Sequence, residues 1–472
     1  MAPCSSLLYL VFYLYKNKEG DIINKKFIEL REKYPNFYYN SYQVINHEDY
    51  IEITWNFEIE NLYKFNPTTK IFINTINKNE DFINYLAFHL GLVELISYWK
   101  ATCSLNVIIK CGTLDEYQIN WFKKLYYNGL GEFFYINNIN ISIKDFMNIK
   151  TIGSNTQFNI QYLGVGNLIP IGGGKDSCVS LELLKDYFEN NTAFIINPKT
   201  PMLECANKAG YKDKIIKVER KIDPNLLELN KQGYLNGHTP FSSMVAFLTY
   251  LTAYLTNKKY IILSNEASAN ESTIIGSNIN HQYSKTYEFE NDFNNYTKKY
   301  FKINIKYFSL LRGLSEFQIA YIFSKYEKYH NIFKSCNVGS KTIPWLWCSN
   351  CSKCLFVYIV LSPFLYKEKL INIFNKDLFE DKKMLKIFLE LTGNSDTKPF
   401  ECVGTISEVR YAISLTINKL LENNIKLPYL LDYYYKNYEL ESYNKEMLTK
   451  YNSENNIPDD FNKLVMEALA WK

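Results

Sequence analysis

Six consecutive residues, Gly172-Gly173-Gly174-Lys175-Asp176-Ser177, combine bare main chain, a cation and a carboxylate. Glycines let the backbone approach a ligand closely and adopt positive φ without strain. The apolar run from Asn167 to Ile171 predicts a short buried strand before them. Within Cys178 to Phe188, Leu181, Leu184 and Phe188 recur at helical spacing and predict a helix after them. A strand, a glycine turn and a helix start aim first-turn N–H groups at the turn, where the helix dipole favours an anion. Lys175 adds positive charge, and Asp176 adds a carboxylate able to hold Mg²⁺ against phosphate oxygens.

Two phosphate turns are excluded. A Walker A loop requires Gly where Ile169 stands and Ser or Thr where Asp176 stands. A dinucleotide fingerprint begun at Gly164-Val165-Gly166 meets Ile169 at its third glycine position, and that glycine pair precedes the strand instead of following it. The stretch resembles the PP-loop of the ATP pyrophosphatases, Ser-Gly-Gly-Lys-Asp-Ser, with Gly172 in place of the leading Ser. That change removes a hydroxyl and keeps the backbone cradle, the Lys and the Asp.

A second constellation is Cys336 followed by Cys348-Ser-Asn-Cys351-Ser-Lys-Cys354. Four thiolates suit tetrahedral zinc, and such crowding also suits an iron–sulfur cluster. Unrelated buried thiols are the remaining alternative. The order resembles the zinc site of the PP-loop enzymes that make 7-cyano-7-deazaguanine, which implies a structural zinc on these four residues.

Other polar stretches sit where strands end or helices begin. In Asn236-Gly237-His238-Thr239-Pro240, His238 can contact phosphate or move a proton, or Thr239 can simply cap the following helix. Ser264-Asn265-Glu266 ends a strand, and Glu266 can bind Mg²⁺ or abstract a proton. Asn280-His281-Gln282-Tyr283-Ser284-Lys285 reads as a substrate loop or a solvated one. Arg312 is placed either to clamp an anion or to make a surface ion pair. Cys402 is either a buried thiol or a proton donor.

These residues must be positioned by a chain of 472 residues, long enough for two or three domains at ~150 residues each. A net charge of +4 is too mild to mark a nucleic-acid or membrane surface, and no run reaches ~20 apolar residues. Leu7 to Tyr15 is apolar but has no basic residue before it, so it reads as a first strand. Crowded cysteines point to metal more than to disulfides, and the cytosol is the expected compartment.

Residues 1–160 predict an α+β unit. It has a strand at Tyr50 to Phe57, a buried helix at Phe82 to Trp99, a helix at Asp115 to Tyr127 and a strand at Glu132 to Tyr135. Residues 161–375 alternate strand and helix, with further strands at Thr192 to Asn197, Lys214 to Val218 and Tyr260 to Leu263, and a helix at Pro240 to Thr256. Residues 376–472 read as a helical C-terminal region. The fold class is α/β: a Rossmann-like PP-loop domain with a parallel sheet, an N-terminal α+β domain, a Cys4 insertion and a helical C-terminus. Ligands in such sheets lie outside the carboxyl ends of the strands, which gathers Gly172 to Ser177, Asn197 and Ser264 to Glu266 around one crevice.

Taken together, these motifs resemble the MurL family. So do Lys398-Pro399-Phe400-Glu401-Cys402-Val403-Gly404, Phe88-His89-Leu90-Gly91, Ser97-Tyr98-Trp99-Lys100-Ala101-Thr102-Cys103 and Asn128-Gly129-Leu130-Gly131-Glu132-Phe133. The similarity runs from about residue 85 to about residue 405. It implies an ATP- and Mg²⁺-dependent epimerase that inverts the terminal L-Glu of UDP-N-acetylmuramoyl-L-Ala-L-Glu through an acyl-adenylate, releasing AMP and pyrophosphate. Its partner would be that small nucleotide-linked dipeptide, with no nucleic acid and no membrane. In that reading Gly172, Gly173, Gly174, Ser177, Asn197, Ser264 and Asn265 bind ATP, and Lys175 and Asp176 stabilise the leaving phosphates with Mg²⁺ on Asp176. His238, Glu266, His281, Tyr283 and Cys402 are candidates for proton transfer. The alternative is a PP-loop ligase or nucleobase-modifying enzyme of the 7-cyano-7-deazaguanine synthase type.

Overall fold

The structure is a computed structural model that describes residues 24–74, 78–153, 158–270, 280, 282–395 and 398–470. The apolar stretch near the start and His281 lie outside the described residues. Two compact units form, one from residues 1–158 and 220–248, the other from 159–219 and 249–472. This differs from three consecutive segments. The C-terminal helices bury Ile413, Ile417, Phe461 and Val465 in the same core as Ile169, Val179 and Ile262, so they form no separate region.

The first unit is built on β1 (Asn36–Asn46), β2 (Tyr50–Ile59), β3 (Tyr63–Phe65), β4 (Thr68–Phe72), β5 (Asn106–Ile109) and β6 (Asn148–Thr151). β4, β2 and β1 pair antiparallel, and β5 and β6 continue from β1 in parallel. Strict alternation makes every second residue of β2 buried, as its period-two pattern predicts. The Glu80–Glu94 helix packs on that sheet. Trp55 donates its ring N–H to Ala87 O at 3.0 Å, and Tyr39 donates its hydroxyl to Phe88 O at 3.3 Å. Gly91 permits this approach, because a Cβ there would fall 2.2 Å from the Tyr39 hydroxyl.

Glu132 to Tyr135 is not a strand but part of a Gly131–Ile136 helix. A short apolar run carries no usable period, and Phe133 and Phe134 are both buried from the helix. The predicted helix at Asp115 runs Glu116–Gly129, with Asp115 and Gln118 forming a reciprocal capping box.

The second unit holds β7 (Asn167–Pro170), β8 (Asn191–Ile196), β9 (Ile215–Lys221, the last two residues in the first unit), β10 (Tyr260–Leu263) and β11 (Lys306–Ser309). They are parallel and ordered β11-β10-β7-β8-β9. β11 is not among the strands expected from the sequence. The Ser352–Leu361 helix is buried on all sides and forms the centre of this unit's core. No helix among the described residues is long and apolar enough to cross a membrane.

Candidate active site and cysteine cluster

From β7 the chain turns to β8 on one side, while β10 on the other side leads away to β11. Such a reversal opens a crevice at the carboxyl ends of the two central strands. The glycine turn leaves β7 into this crevice, and Ser264-Asn265-Glu266 leaves β10 into it. Ser264 Oγ lies 2.8 Å from Ser180 Oγ, and Asn265 donates to Ser309 Oγ at 3.1 Å, so both side chains tie the β10 loop to its neighbours.

The Lys175–Leu183 helix begins at Gly174, whose backbone is extended and which offers no capping side chain. Its first-turn amides therefore lack an intrahelical acceptor and face the turn. Gly173 has φ 78°, and a Cβ there would lie 3.1 Å from the backbone N and Cα of Met202. Gly172 accepts no such constraint: the nearest atom to a Cβ would be Ser177 Oγ at 3.8 Å. Ser177 Oγ in turn accepts a hydrogen bond from Gly172 N at 3.0 Å, closing the turn on itself. A bare cradle, uncapped amides and an adjacent cation fit a polyphosphate.

Lys175 is buried and donates to both Asp176 and Glu316. Burial opposes its charge, but these two carboxylates overcome that and hold its pKa above the ordinary value. Asp176 is pushed up by burial and down more strongly by Lys175, Lys353 and Lys285, so it stays ionised. Burial pushes Glu316 up to about 8, with Asp176 and Glu266 adding to the rise against Lys175 and Lys353. Lys285 donates to Cys402 Sγ at 3.0 Å, and Lys353 donates to Cys402 O. Burial opposes the Lys285 charge, while Cys402, Glu266 and Asp176 raise its pKa. Three lysines, three carboxylates and a thiol thus share one site. Glu266 is buried, and its carboxylate makes no hydrogen bond or ion pair among the described residues.

Glu316 and Lys353 were not singled out from sequence, and Lys285 entered only as the end of the expected substrate loop. Ser315 and Gln318 form a capping box that marks the start of the Glu316–Ser324 helix, a signal that locates Glu316 but not its partner. Ser268 accepts from Glu316 N at 3.3 Å, and Glu408 accepts from Phe317 N at 3.2 Å, fixing that helix end. Lys353 sits between two cysteines of the cluster, where thiol spacing masks it.

Arg312 is not a surface residue, and it reaches a buried carboxylate, Glu290. It is fully buried and donates to Glu266 O at 2.7 Å, to Lys285 O, to Glu290 at 3.3 Å and to Ser309 Oγ at 3.4 Å. It ties together the backbones that present Glu266 and Lys285. His238 belongs to the first unit, where its Nδ1 lies 3.7 Å from Glu132. Asn197 ends β8 in the left-handed region, with its amide bonded to Val218 O at 2.7 Å. Tyr283 opens a single buried turn, Tyr283–Lys285.

The four predicted cysteine ligands converge. Their sulfurs all lie within 4.8 Å of one another, and neighbouring pairs are 3.7, 3.7 and 3.5 Å apart. A tetrahedron with ~2.3 Å metal–sulfur bonds has sulfur–sulfur edges of ~3.8 Å, so the group can hold a metal ion. Gly339 N donates to Cys336 Sγ at 3.1 Å, the kind of outer contact that orients a thiolate ligand. Cys351 precedes the Ser352–Leu361 helix and Cys354 lies in its first turn, so the cluster and Lys353 are set by the same turn.

The MurL N-terminal domain matches residues 29–310 and the MurL C-terminal domain matches residues 332–426. A UDP-N-acetyl-alpha-D-muramoyl-L-alanyl-L-glutamate epimerase of Xanthomonas oryzae pv. oryzae is 34% identical over 337 residues, covering 70% of this chain and 74% of the relative. Proteins of the same name from a Micromonospora species and from Salinispora tropica are each 32% identical over 330 residues, covering 69% of this chain and 73% and 72% of the relatives. No solved structure matches. With both family domains matched in order and relatives aligned along most of their length, the chain belongs to the MurL family of epimerases.

Proposed function

We propose that the chain inverts the terminal L-Glu of UDP-N-acetylmuramoyl-L-Ala-L-Glu to D-Glu, consuming ATP in peptidoglycan precursor synthesis in the cytoplasm. The observation that carries the ATP-dependent part is Lys175, held between Asp176 and Glu316 beside an uncapped helix start at the strand reversal. The relatives' names support the substrate.

Removing the α-proton next to a free carboxylate would place two negative charges side by side. Transferring AMP from ATP to that carboxylate, with pyrophosphate as leaving group, removes the charge and acidifies the α-proton. The amides and glycines of residues 172–177 bind the departing phosphates, and Lys175 neutralises charge that develops on them. Asp176 is the residue to hold Mg²⁺, which supplies charge neutralisation at the phosphates. Glu316 positions Lys175. Glu266, with a buried carboxylate that makes no hydrogen bond among the described residues, and Cys402, beside the Lys285 ammonium, are the groups proposed to remove and return the α-proton. Hydrolysis then frees the D-isomer. Cys336, Cys348, Cys351 and Cys354 hold a structural zinc.

Incubating the protein with ATP, Mg²⁺ and the UDP-muramoyl dipeptide in D₂O should place deuterium at the α-carbon of a D-Glu product. AMP formation without that label would sink epimerisation and point to capture of the adenylate by an amine, as in a ligase.

A further inference from the structure

Two stretches that carry the family resemblance are not used by the chemistry above: Ser97 to Cys103 and Asn236 to Pro240. They meet in the first unit. Lys100 donates to Gly237 O at 2.5 Å, and both stretches line a cavity of about 210 Å³.

The polar lining of this cavity is underpartnered. Lys100 is buried, and among the described residues the Gly237 carbonyl is its one hydrogen-bond acceptor and no carboxylate pairs with it. Burial and Arg220 push its pKa down to about 8 against a small opposing effect of Glu132. Arg220, in the same lining, is held by Glu94 through hydrogen bonds of 2.8 and 2.7 Å. The cavity also reaches Thr239 and Pro240, where the Phe241–Leu255 helix begins and its dipole is positive. Asn230 Oδ1 is buried against the cavity with no donor. A buried ammonium without an anion and an amide oxygen without a donor are both costly to leave unmet.

The same cavity has an apolar lining: Phe241, Leu227 and Ile222 are large apolar side chains at 48%, 47% and 38% exposure. A bare phosphate or carboxylate would satisfy Lys100 alone. A nucleoside phosphate satisfies all three features: phosphate at Lys100 and the helix start, a ribose hydroxyl or base N–H donating to Asn230 Oδ1, and a flat base against Phe241.

We propose that this cavity of the first unit is a nucleoside phosphate site that takes the uridine diphosphate end of the substrate. The choice of uridine rests on the epimerase reading; the class of ligand rests on the cavity. It assigns binding to Lys100, Asn230 and Phe241, and the chemistry to residues of the second unit.

The test is titration calorimetry of the full chain with UDP and with inorganic phosphate, alongside steady-state kinetics. UDP should bind far more tightly than inorganic phosphate. Phe241→Ala, at an exposed position that leaves folding intact, should weaken UDP about tenfold through lost base stacking. It should raise KM for the UDP-muramoyl dipeptide in proportion, with the larger effect on KM than on kcat. Lys100→Met should weaken UDP at least as much. Equal affinity for UDP and phosphate would overturn the nucleoside assignment, as would unchanged UDP binding by Phe241→Ala. A wild-type protein that epimerises while Phe241→Ala keeps its KM would remove the cavity's role and leave the epimerase reading intact. UDP binding that depends on Phe241, in a protein that does not epimerise, would do the reverse.

Discussion

Lys175 and Glu316 stand 141 residues apart in the chain and share a hydrogen bond with both side chains almost entirely out of solvent. Glu316 is the first residue of its helix, and that helix end is held by Ser268 and Glu408. The Glu316 carboxyl group therefore arrives at Lys175 from a fixed frame. Lys175→Ala should lower pyrophosphate release from ATP by ~10²–10³-fold. Glu316→Gln keeps the shape and one hydrogen-bonding oxygen, so it should raise KM for ATP while retaining measurable turnover. Pyrophosphate release by the two variants, measured across ATP concentrations, checks the order; an active Lys175→Ala would remove the turn from the reaction.

The same carboxyl group gives a stability signature. Its folded-state pKa of about 8 lies above the ordinary 4.5, because burial disfavours the charged form. Below about 4.5 the group is protonated folded or unfolded. Between about 4.5 and 8 the unfolded chain has released a proton that the folded chain keeps, so stability falls as pH rises through this window. Glu316→Gln should flatten that part of the stability curve. Thermal unfolding of both proteins from pH 5 to pH 8, with zinc and salt held constant, makes the comparison.

What was legible in the chain follows the range of the forces. The glycine turn, the alternating β2 and the Asp115 cap are decided by neighbours within a few residues, and each forms where its pattern lies. Cys336 joins the other three thiols because ligand type and spacing restrict the choice. Glu316 and Lys353 were missed because contacts to residues distant in the chain leave no local trace, while Lys285 entered only as the end of the expected substrate loop. Arg312 was misplaced for the same reason: its charge suggested a surface or a ligand, while its acceptors are two backbone carbonyls, the Glu290 carboxylate and Ser309 Oγ, all brought close by the fold. The Glu132 to Tyr135 segment failed because three aromatic residues after Glu132 have no period to distinguish strand from helix.

The cysteine group sets the start of the central Ser352–Leu361 helix, from which Lys353 reaches the active site. A metal held there would stabilise the helix start and the candidate site together. The purified protein should carry about one equivalent of zinc, measured by mass spectrometry of the metal. Cys354→Ser should lose it and lower the melting temperature by on the order of 10 °C. A chelator should lower pyrophosphate release even with excess Mg²⁺, through displacement of Lys353.

The turn itself separates two adjacent glycines. Gly173 has positive φ and a backbone neighbour at 3.1 Å, so Gly173→Ala should be destabilising by ~1–2 kcal/mol and should abolish ATP use by shifting the cradle. Gly172 has open space at its Cβ position and φ outside the left-handed region, so Gly172→Ser introduces the leading Ser of the PP-loop that the turn resembles without a clash. It should fold normally and bind ATP at least as well. Melting temperature and KM for ATP measure both effects, and equal damage from the two substitutions would contradict the geometry.

Cys402 is partly exposed and receives a 3.0 Å hydrogen bond from Lys285, whose charge is secured by the surrounding carboxylates. An ammonium at that distance stabilises a thiolate, and a thiolate is a competent base for an activated α-proton. Arg312 holds the Lys285 backbone and Lys353 holds the Cys402 backbone, so the pair is fixed from both sides. If Cys402 transfers the proton, Cys402→Ser should still convert ATP to AMP and pyrophosphate while deuterium uptake at the α-carbon drops by ~10²-fold or more. Adenylation and proton transfer then separate in one variant. Deuterium uptake at the wild-type rate would assign the proton to Glu266, and Glu266→Gln would show the loss instead.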